Sequence, residues 1–136
     1  MASLFTRISK GEIPAYKVAE DERFLAFLDI NPLARGHTLV IPKEEVDYIF
    51  DLDTETLSGL ILFAQPVARA IETVVPCKRI GVAVIGLEVP HAHVHLVPLQ
   101  NIHDLDFSNP RVQLTKEEFA DLAQKISLAF SEQEQE

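Results

Sequence analysis

Four apolar runs of strand length divide the first hundred residues of the chain, at residues 24–30, 37–41, 79–85 and 91–97. Each run ends at or beside a proline or another turn-forming residue, where a strand is expected to stop. The link between the first two runs is short and begins with Asn31-Pro32, a pair typical of turns. We therefore predict that these two strands form a hairpin.

Between the second and third strands, apolar residues recur every three or four positions from Leu57 to Val74. This spacing places them on one side of a helix, and Asp53 stands where the N-cap of that helix is expected. Pro66 lies inside the apolar stripe and is expected to kink the helix, because it removes one backbone hydrogen bond. The pattern predicts one long helix over residues 53–75.

A second helix is predicted near the C-terminus. Residues 115–118 have the form of a capping box, and the apolar face that follows extends to Phe130. Residues 131–136 are uniformly polar, which predicts a frayed tail. Strands that precede and follow a long helix favour an α+β fold with an antiparallel sheet. We expect a single domain over residues 1–130, because a chain of 136 residues has no room for a second core.

Composition narrows the classes of function. The net charge of −9 argues against a general nucleic-acid binder, because an acidic surface repels the phosphate backbone. No apolar run approaches the roughly 18 residues that span a bilayer, and the first residues lack the apolar block of a secretory signal. The single cysteine, Cys77, excludes an internal disulfide and a cysteine-rich zinc module. We therefore expect a cytoplasmic protein that binds neither membranes nor nucleic acid.

Three histidines on the fourth predicted strand carry the main chemical signal. His91, His93 and His95 alternate with apolar residues, and on a strand this spacing points all three imidazoles toward one face. Solvated histidines on an exposed strand would show the same pattern without any chemistry. The pattern is nevertheless rare enough to favour a functional site.

Two chemical interpretations of these histidines remain open. Neutral imidazole binds zinc, but the rise of a strand places the outer two histidines about 13 Å apart, so one ion cannot bind all three. A smaller set that includes His37 could still form a metal site. Alternatively, an imidazole with a pKa of about 6.5 is a competent nucleophile toward phosphorus, and partly protonated neighbours would attract an anion. That second chemistry needs no metal.

The segment His91-Ala92-His93-Val94-His95-Leu96-Val97 resembles the signature of the histidine triad (HIT) family. Residues 3–98 are similar to the adenosine-phosphoramidase branch of that family, notably at residues 11–14, 27–30 and 36–43. The resemblance implies an antiparallel sheet of about five strands with one long helix and a C-terminal helix. It also implies a homodimer that pairs through the long helix and a neighbouring strand.

The resemblance further implies a role for each residue of the site. His93 would attack the α-phosphorus of a nucleotide and form a nucleotidyl-histidine intermediate. His95 would contact the phosphate and help to protonate the leaving group, while His91 would orient His93 through its backbone carbonyl. His37 would lie beside the triad, and Asp29 would bind the ribose hydroxyls. The purine would lie in an apolar slot lined by Phe5, Ile8, Ile13, Phe27 and Leu39.

Simpler interpretations of the slot and of Asp29 stay open. The five apolar residues could belong to the core, and Asp29 could merely start the turn at Asn31-Pro32. One stretch also departs from the family, which usually has Gly-Gln-Ser/Thr-Val where this chain has Gly86-Leu87-Glu88-Val89. A carboxylate at Glu88 accepts hydrogen bonds but cannot donate them. We expect Glu88 to face the leaving group and to favour amines over polyphosphates.

The sequence therefore predicts a nucleotide-binding hydrolase that cleaves a purine nucleoside phosphoramidate, or a related nucleotide P–N or P–O bond, without a cofactor or a metal. The histidine at position 95 favours hydrolysis, because the transferases of the family carry Gln there. Two alternatives stay open. The chain could be a nucleotide-binding scaffold with little activity, or a zinc-binding member of the family.

Overall fold

A computed structural model describes residues 2–134, and this part of the chain contains three α-helices and five strands. The helices are α1 (Leu4–Ser9), α2 (Thr54–Val74) and α3 (Lys116–Glu134). The strands are β1 (Lys17–Glu20), β2 (Phe24–Leu28), β3 (Thr38–Pro42), β4 (Arg79–Ala83) and β5 (Val94–Leu99).

The strands form one antiparallel sheet in the order β1-β2-β3-β5-β4. The predicted hairpin is confirmed, since β2 pairs with β3 and places Leu25 opposite Ile41 and Phe27 opposite Leu39. Strand β5 lies between β3 and β4, and its His95 stands opposite Leu39 of β3. The five-stranded sheet and its helices confirm the α+β class.

The two faces of the sheet bury different side chains, as the two-residue period of a strand requires. On one face, Val40 and Val94 pack with residues of α2 and α3 into the main core. On the other face, Phe27 and Leu39 pack with residues of α1 into a smaller apolar cluster. His95 shares this second face, because it stands directly opposite Leu39. The second face therefore carries the chemistry.

Helix α2 begins as predicted. The Asp53 carboxylate caps it by accepting a hydrogen bond of 2.7 Å from the backbone N–H of Thr56. The helix continues through Pro66 to Val74, so the proline does not end it, and Gln133 of α3 donates a hydrogen bond to the Pro66 carbonyl. Length and composition alone would allow α2 to cross a membrane. Here it packs against the sheet and α3 as a core helix.

Strand β5 differs from its prediction at both ends. It begins at Val94 rather than at His91, and it continues through Pro98 to Leu99. Pairing with β3 extends only to Leu96, so at Pro98 the strand has a partner on one side alone. A proline is tolerated there because the ladder loses no hydrogen bond on the open side.

The C-terminal helix is also longer than predicted. Its capping box is present, since Glu118 N–H donates to Thr115 Oγ1 and Thr115 N–H donates to Glu118 Oε1. The prediction of a frayed tail is wrong for residues 131–134, which are helical. The ring of Phe130 packs into the core and Gln133 bonds to α2, and these contacts hold the last turns in place. Residues 135–136 lie outside the described part of the chain.

Candidate active site

A cavity of about 440 Å³ opens on the second face of the sheet. Of the predicted polar residues, Asp29, Glu88, His93 and His95 line it, whereas His37 and His91 are buried outside its lining. The five residues predicted to form an apolar slot all line it as well: Phe5, Ile8, Ile13, Phe27 and Leu39. Most of these apolar residues also belong to the small cluster with α1, so they serve as core and as cavity wall at once.

His93 has a defined orientation at the cavity. Its Nδ1 atom lies 2.7 Å from the backbone carbonyl oxygen of His91. A carbonyl oxygen only accepts hydrogen bonds, so Nδ1 carries the ring proton and donates it. The lone pair of the neutral ring is therefore on Nε2. Phe5 packs edge-to-face on this imidazole, with 5.0 Å between the ring centroids, and restricts its rotation.

A chain of hydrogen bonds assigns the ring protons of His37 and His95. The backbone N–H of Leu33 donates to Nδ1 of His37 at 3.0 Å, so the proton of neutral His37 is on Nε2. That Nε2–H donates to Nδ1 of His95, also at 3.0 Å. The proton of His95 is then on its own Nε2. His95 thus offers the cavity a hydrogen-bond donor, while His93 offers a lone pair.

His91 connects the triad to two other parts of the chain. Its Nε2 atom lies 2.7 Å from the carbonyl oxygen of Pro42 at the end of β3 and donates a proton to it. Its Nδ1 atom then accepts a hydrogen bond from the hydroxyl of Ser3, which precedes α1, at 2.8 Å. These bonds fix the backbone whose carbonyl holds His93.

Burial keeps His37, His91 and His95 neutral at pH 7. Loss of solvation, assisted by neighbouring positive charge, lowers the pKa of His37 to about 3 and that of His95 to about 4. Burial likewise lowers the pKa of His91. The expectation that partly protonated neighbours attract an anion is therefore wrong for His91 and His95. No triad side chain is more than 8% exposed, which also excludes solvated histidines on an open strand.

Asp29 follows β2 and has two different contacts. Its Oδ1 accepts a hydrogen bond of 2.8 Å from the backbone N–H of Asn31, which is the turn contact that the simpler interpretation requires. Its Oδ2 lies 3.6 Å from Nε2 of His37. Burial raises the pKa of this carboxyl group. Asp29 therefore supports the turn and also presents a carboxylate at the cavity.

The ligand atoms of Asp29, His37 and His95 lie within 4.8 Å of one another, a spacing that one zinc ion could bridge. The hydrogen bonds oppose this use. A metal on Nε2 of His37 needs the lone pair of that atom, which would move the ring proton to Nδ1. Nδ1 already accepts a hydrogen bond from Leu33 N–H, so metal binding would break that bond and the one to His95.

The cavity lining also includes residues that the sequence analysis did not predict, among them Phe107 and Arg111. The ring of Phe107 lies edge-on to His95, with 4.7 Å between the centroids, and the guanidinium of Arg111 lies 5.6 Å from the Phe107 ring centroid. Both belong to the irregular segment between β5 and α3. The sequence of this segment has no periodic pattern that predicts a contact with the sheet. Its only local signal is the spacing of an aromatic residue four positions before an arginine.

Comparison with known proteins decides the family. The sequence matches the HIT domain over residues 10–102. This chain belongs to the HIT family. An adenosine 5′-monophosphoramidase of Schizosaccharomyces pombe is 35% identical over 130 residues, which are 93% of this chain and 97% of that protein.

Solved HIT structures share the fold. A zinc-bound histidine triad family protein from Mycobacterium smegmatis matches with a TM-score of 0.85 and 31% identity, over 99% of this chain and 97% of that one. A hypothetical histidine triad nucleotide-binding protein from Sulfolobus tokodaii matches with a TM-score of 0.80 and 30% identity, over 94% and 91% of the two chains. The antiparallel sheet with its long helix is thus the HIT fold.

Proposed function

We propose that this HIT protein is a nucleotide-binding hydrolase that cleaves purine nucleoside phosphoramidates through a nucleotidyl-histidine intermediate. One observation carries the proposal: the bond from His93 Nδ1 to the His91 carbonyl leaves the lone pair of His93 on Nε2, beside a largely apolar cavity. A nucleophile needs this kind of support for its second nitrogen. The named activity of the fission yeast relative supports the same substrate class.

In the first step, Nε2 of His93 attacks the α-phosphorus, and a P–Nε2 bond replaces the P–N bond of the substrate. The electron pair of the broken bond goes to the leaving nitrogen, which takes a proton from solvent and departs as an amine. His95 is neutral, so it assists by donating its Nε2–H in a hydrogen bond to the phosphate or the leaving nitrogen. This role is weaker than the full proton transfer that the family resemblance implies.

In the second step, water attacks the phosphorus of the intermediate. The P–Nε2 bond breaks, its electron pair returns to His93, and the surplus proton of the water goes to solvent. The products are a nucleoside monophosphate and an amine. In this scheme Asp29 accepts hydrogen bonds from the ribose hydroxyls, and the slot between Phe5, Ile13 and Phe27 holds the base.

The test is incubation with a panel of nucleoside phosphoramidates and dinucleoside polyphosphates, with product analysis for wild type and His93→Ala. We expect wild type to release AMP from adenosine phosphoramidates and the variant to lose at least 90% of turnover. When the reaction is quenched without acid, mass spectrometry of the protein should show one added nucleotidyl group in wild type and none in the variant. Circular dichroism checks that the variant folds, and an adduct or activity retained by folded His93→Ala would disprove the mechanism.

The same assay separates the alternatives. A scaffold would bind AMP but show negligible hydrolysis that His93→Ala does not change. A zinc-dependent enzyme would lose activity with EDTA and regain it with zinc, whereas the proposed attack needs no Lewis acid and should survive chelation. We further propose that the protein acts in the cytoplasm as a homodimer on a small-molecule nucleotide.

A further inference from the structure

Charge is distributed unevenly around the cavity. Among the described residues that line it, Arg111 is the only lysine or arginine, and Asp29 and Glu88 are the carboxylates. His37 and His95 do not add positive charge at neutral pH, since their pKa values are about 3 and 4. A nucleoside monophosphate that enters this cavity therefore meets one side chain with a permanent positive charge, that of Arg111.

The guanidinium of Arg111 is held in place by the loop around it. Its Nη1 donates to the carbonyl oxygen of Asn31 and its Nη2 donates to that of Phe107, each at 3.1 Å. A guanidinium has five N–H donors, so these two bonds leave three for another partner. The Phe107 ring contacts both this group and His95, with its centroid 5.6 Å from the guanidinium carbon and 4.7 Å from the centroid of the His95 ring.

Arg111 lies close to His95 at the reacting end of the cavity, because the Phe107 ring that contacts its guanidinium also contacts His95. Its charge acts on Asp29, His37 and His95 and favours the deprotonated form of each. The chain has a net charge of −9, which repels an anionic ligand. A single cation at this place therefore has a larger effect on the binding of such a ligand. Arg111 also lies outside residues 10–102, so the match to the HIT domain assigns it nothing.

We propose that Arg111 is a substrate-binding residue that recognises the phosphate group of the nucleotide and so distinguishes nucleotides from nucleosides. The inference rests on the proposed nucleotide hydrolase function and adds the group that compensates the phosphate charge. A preorganised guanidinium suits this task, because its planar donors match phosphate oxygens and charge-assisted hydrogen bonds are stronger than neutral ones. The competing role is structural, in which Arg111 only ties its loop to Asn31 and Phe107.

Calorimetric titration of AMP and adenosine separates the two roles. Arg111→Gln removes the charge but keeps a polar side chain, and Arg111→Lys keeps the charge but removes the planar fork. We expect Arg111→Gln to weaken AMP binding about tenfold or more while adenosine binding stays within about twofold. Arg111→Lys should lie between wild type and Arg111→Gln. The control is Lys125→Gln, which removes one positive charge from the exposed face of α3 and should leave both affinities unchanged.

Equal weakening of AMP and adenosine by Arg111→Gln, or AMP binding that the variant leaves intact, would overturn the inference. Failure of both Arg111 variants to fold, judged by thermal melts, would assign the residue to the loop and overturn it as well. Failure of the proposed function gives a different result, because wild type would then bind neither ligand or would bind AMP without hydrolysing phosphoramidates.

Discussion

His37 fixes the tautomer of His95 through a hydrogen bond, although it does not reach the cavity. The groups that face it are His95, Asp29 and Arg111, together with the ring of Phe107. Burial lowers the pKa of His37 and of His95 well below the value of about 6.5 that an unfolded chain gives them. Between about pH 6.5 and 4, the unfolded chain therefore binds protons at these residues that the folded chain does not.

The free energy of unfolding should consequently fall as the pH decreases from about 6.5 to 4, and level off above this range. His37→Gln removes one such group. It should therefore reduce the slope of the unfolding free energy against pH by the contribution of about one proton. The raised pKa of Asp29 changes the free energy of unfolding with pH in the opposite direction. Comparison of wild type with His37→Gln separates the contribution of His37 from that of Asp29. Urea unfolding at pH 7, 6 and 5 measures the slope, with His103→Gln on the exposed loop as control. Equal slopes for wild type and His37→Gln would contradict the assignment.

Substitution of Glu88 tests whether the departure from the family pattern at residues 86–89 affects substrate choice. It is exposed, lines the cavity, and contributes with burial to the raised pKa of Asp29, so its charge reaches the site. A negative charge there should disfavour polyphosphate leaving groups relative to amines. Glu88→Ser should raise kcat/KM for a dinucleoside polyphosphate relative to an aminoacyl-type phosphoramidate by more than about twofold. Glu22→Ser, in the exposed turn between β1 and β2, is the control.

A ratio that stays within twofold for Glu88→Ser would show that Glu88 has no role in the choice of leaving group. Both substrates carry the α-phosphate that Arg111 is proposed to bind, so that contact does not determine the ratio.

At the scale of elements, the short helix α1 depends on contacts with the chain after β3. The Glu45 carboxylate accepts hydrogen bonds from the Ser3 backbone N–H and the Thr6 hydroxyl, and these bonds lower the pKa of Glu45 to about 2. Ser3 in turn bonds to His91. Phe5 and Ile8 of the same helix form one wall of the cavity, so the network links the triad to that wall.

Glu45→Gln should loosen α1, because a neutral amide accepts weaker hydrogen bonds than a carboxylate. We expect faster amide hydrogen exchange across residues 4–9 and several-fold weaker AMP binding, with little change in the exchange of β2 and β3. Glu44→Gln changes the neighbouring exposed charge and should have neither effect. Unchanged exchange in Glu45→Gln would show that apolar packing alone holds the helix.

The elements that the sequence predicted well are those long enough to repeat a pattern. The stripe that begins at Leu57 identified α2 with its cap, and two apolar runs identified the β2-β3 hairpin. Helix α1 has six residues and β1 has four, too few for a period to emerge. The end of β5 was misplaced because the rule against proline in a strand depends on partners, and Pro98 has a partner on one side only.

The residues of the candidate site divide in the same way, into those that a sequence pattern identifies and those that tertiary contacts place. The alternation of histidines and the family resemblance identified the residues around the cavity, but the contact between His37 and His95 depends on strand register, which pairs Leu39 with His95. The low pKa values depend on burial by several elements at once. Phe107 and Arg111 reach the cavity from an irregular loop, and a loop path is set by tertiary contacts such as that of Arg111 with Asn31.

At the scale of the whole molecule, the edge strand β4 and the neighbouring helix α2 both expose apolar side chains. Strand β4 is an edge strand, and its Val82 is 59% exposed. Helix α2 flanks β4 along a shared groove lined by residues of both elements, and Ile61 on α2 is 49% exposed. An exposed edge strand favours pairing with another chain, and the exposed apolar side chains of Val82 and Ile61 add apolar area to such a contact.

We therefore predict a two-fold symmetric dimer that pairs β4 with its copy and buries part of α2. Light scattering at micromolar concentration should give twice the 15.2 kDa mass of the chain. Val82→Glu should shift the protein toward the monomer, because like charges would then face each other near the two-fold axis. Ile102→Glu adds the same charge at a more exposed apolar residue outside this surface and should leave the mass unchanged. A monomer mass for wild type would contradict the dimer, and a dimer that survives Val82→Glu would move the interface away from β4.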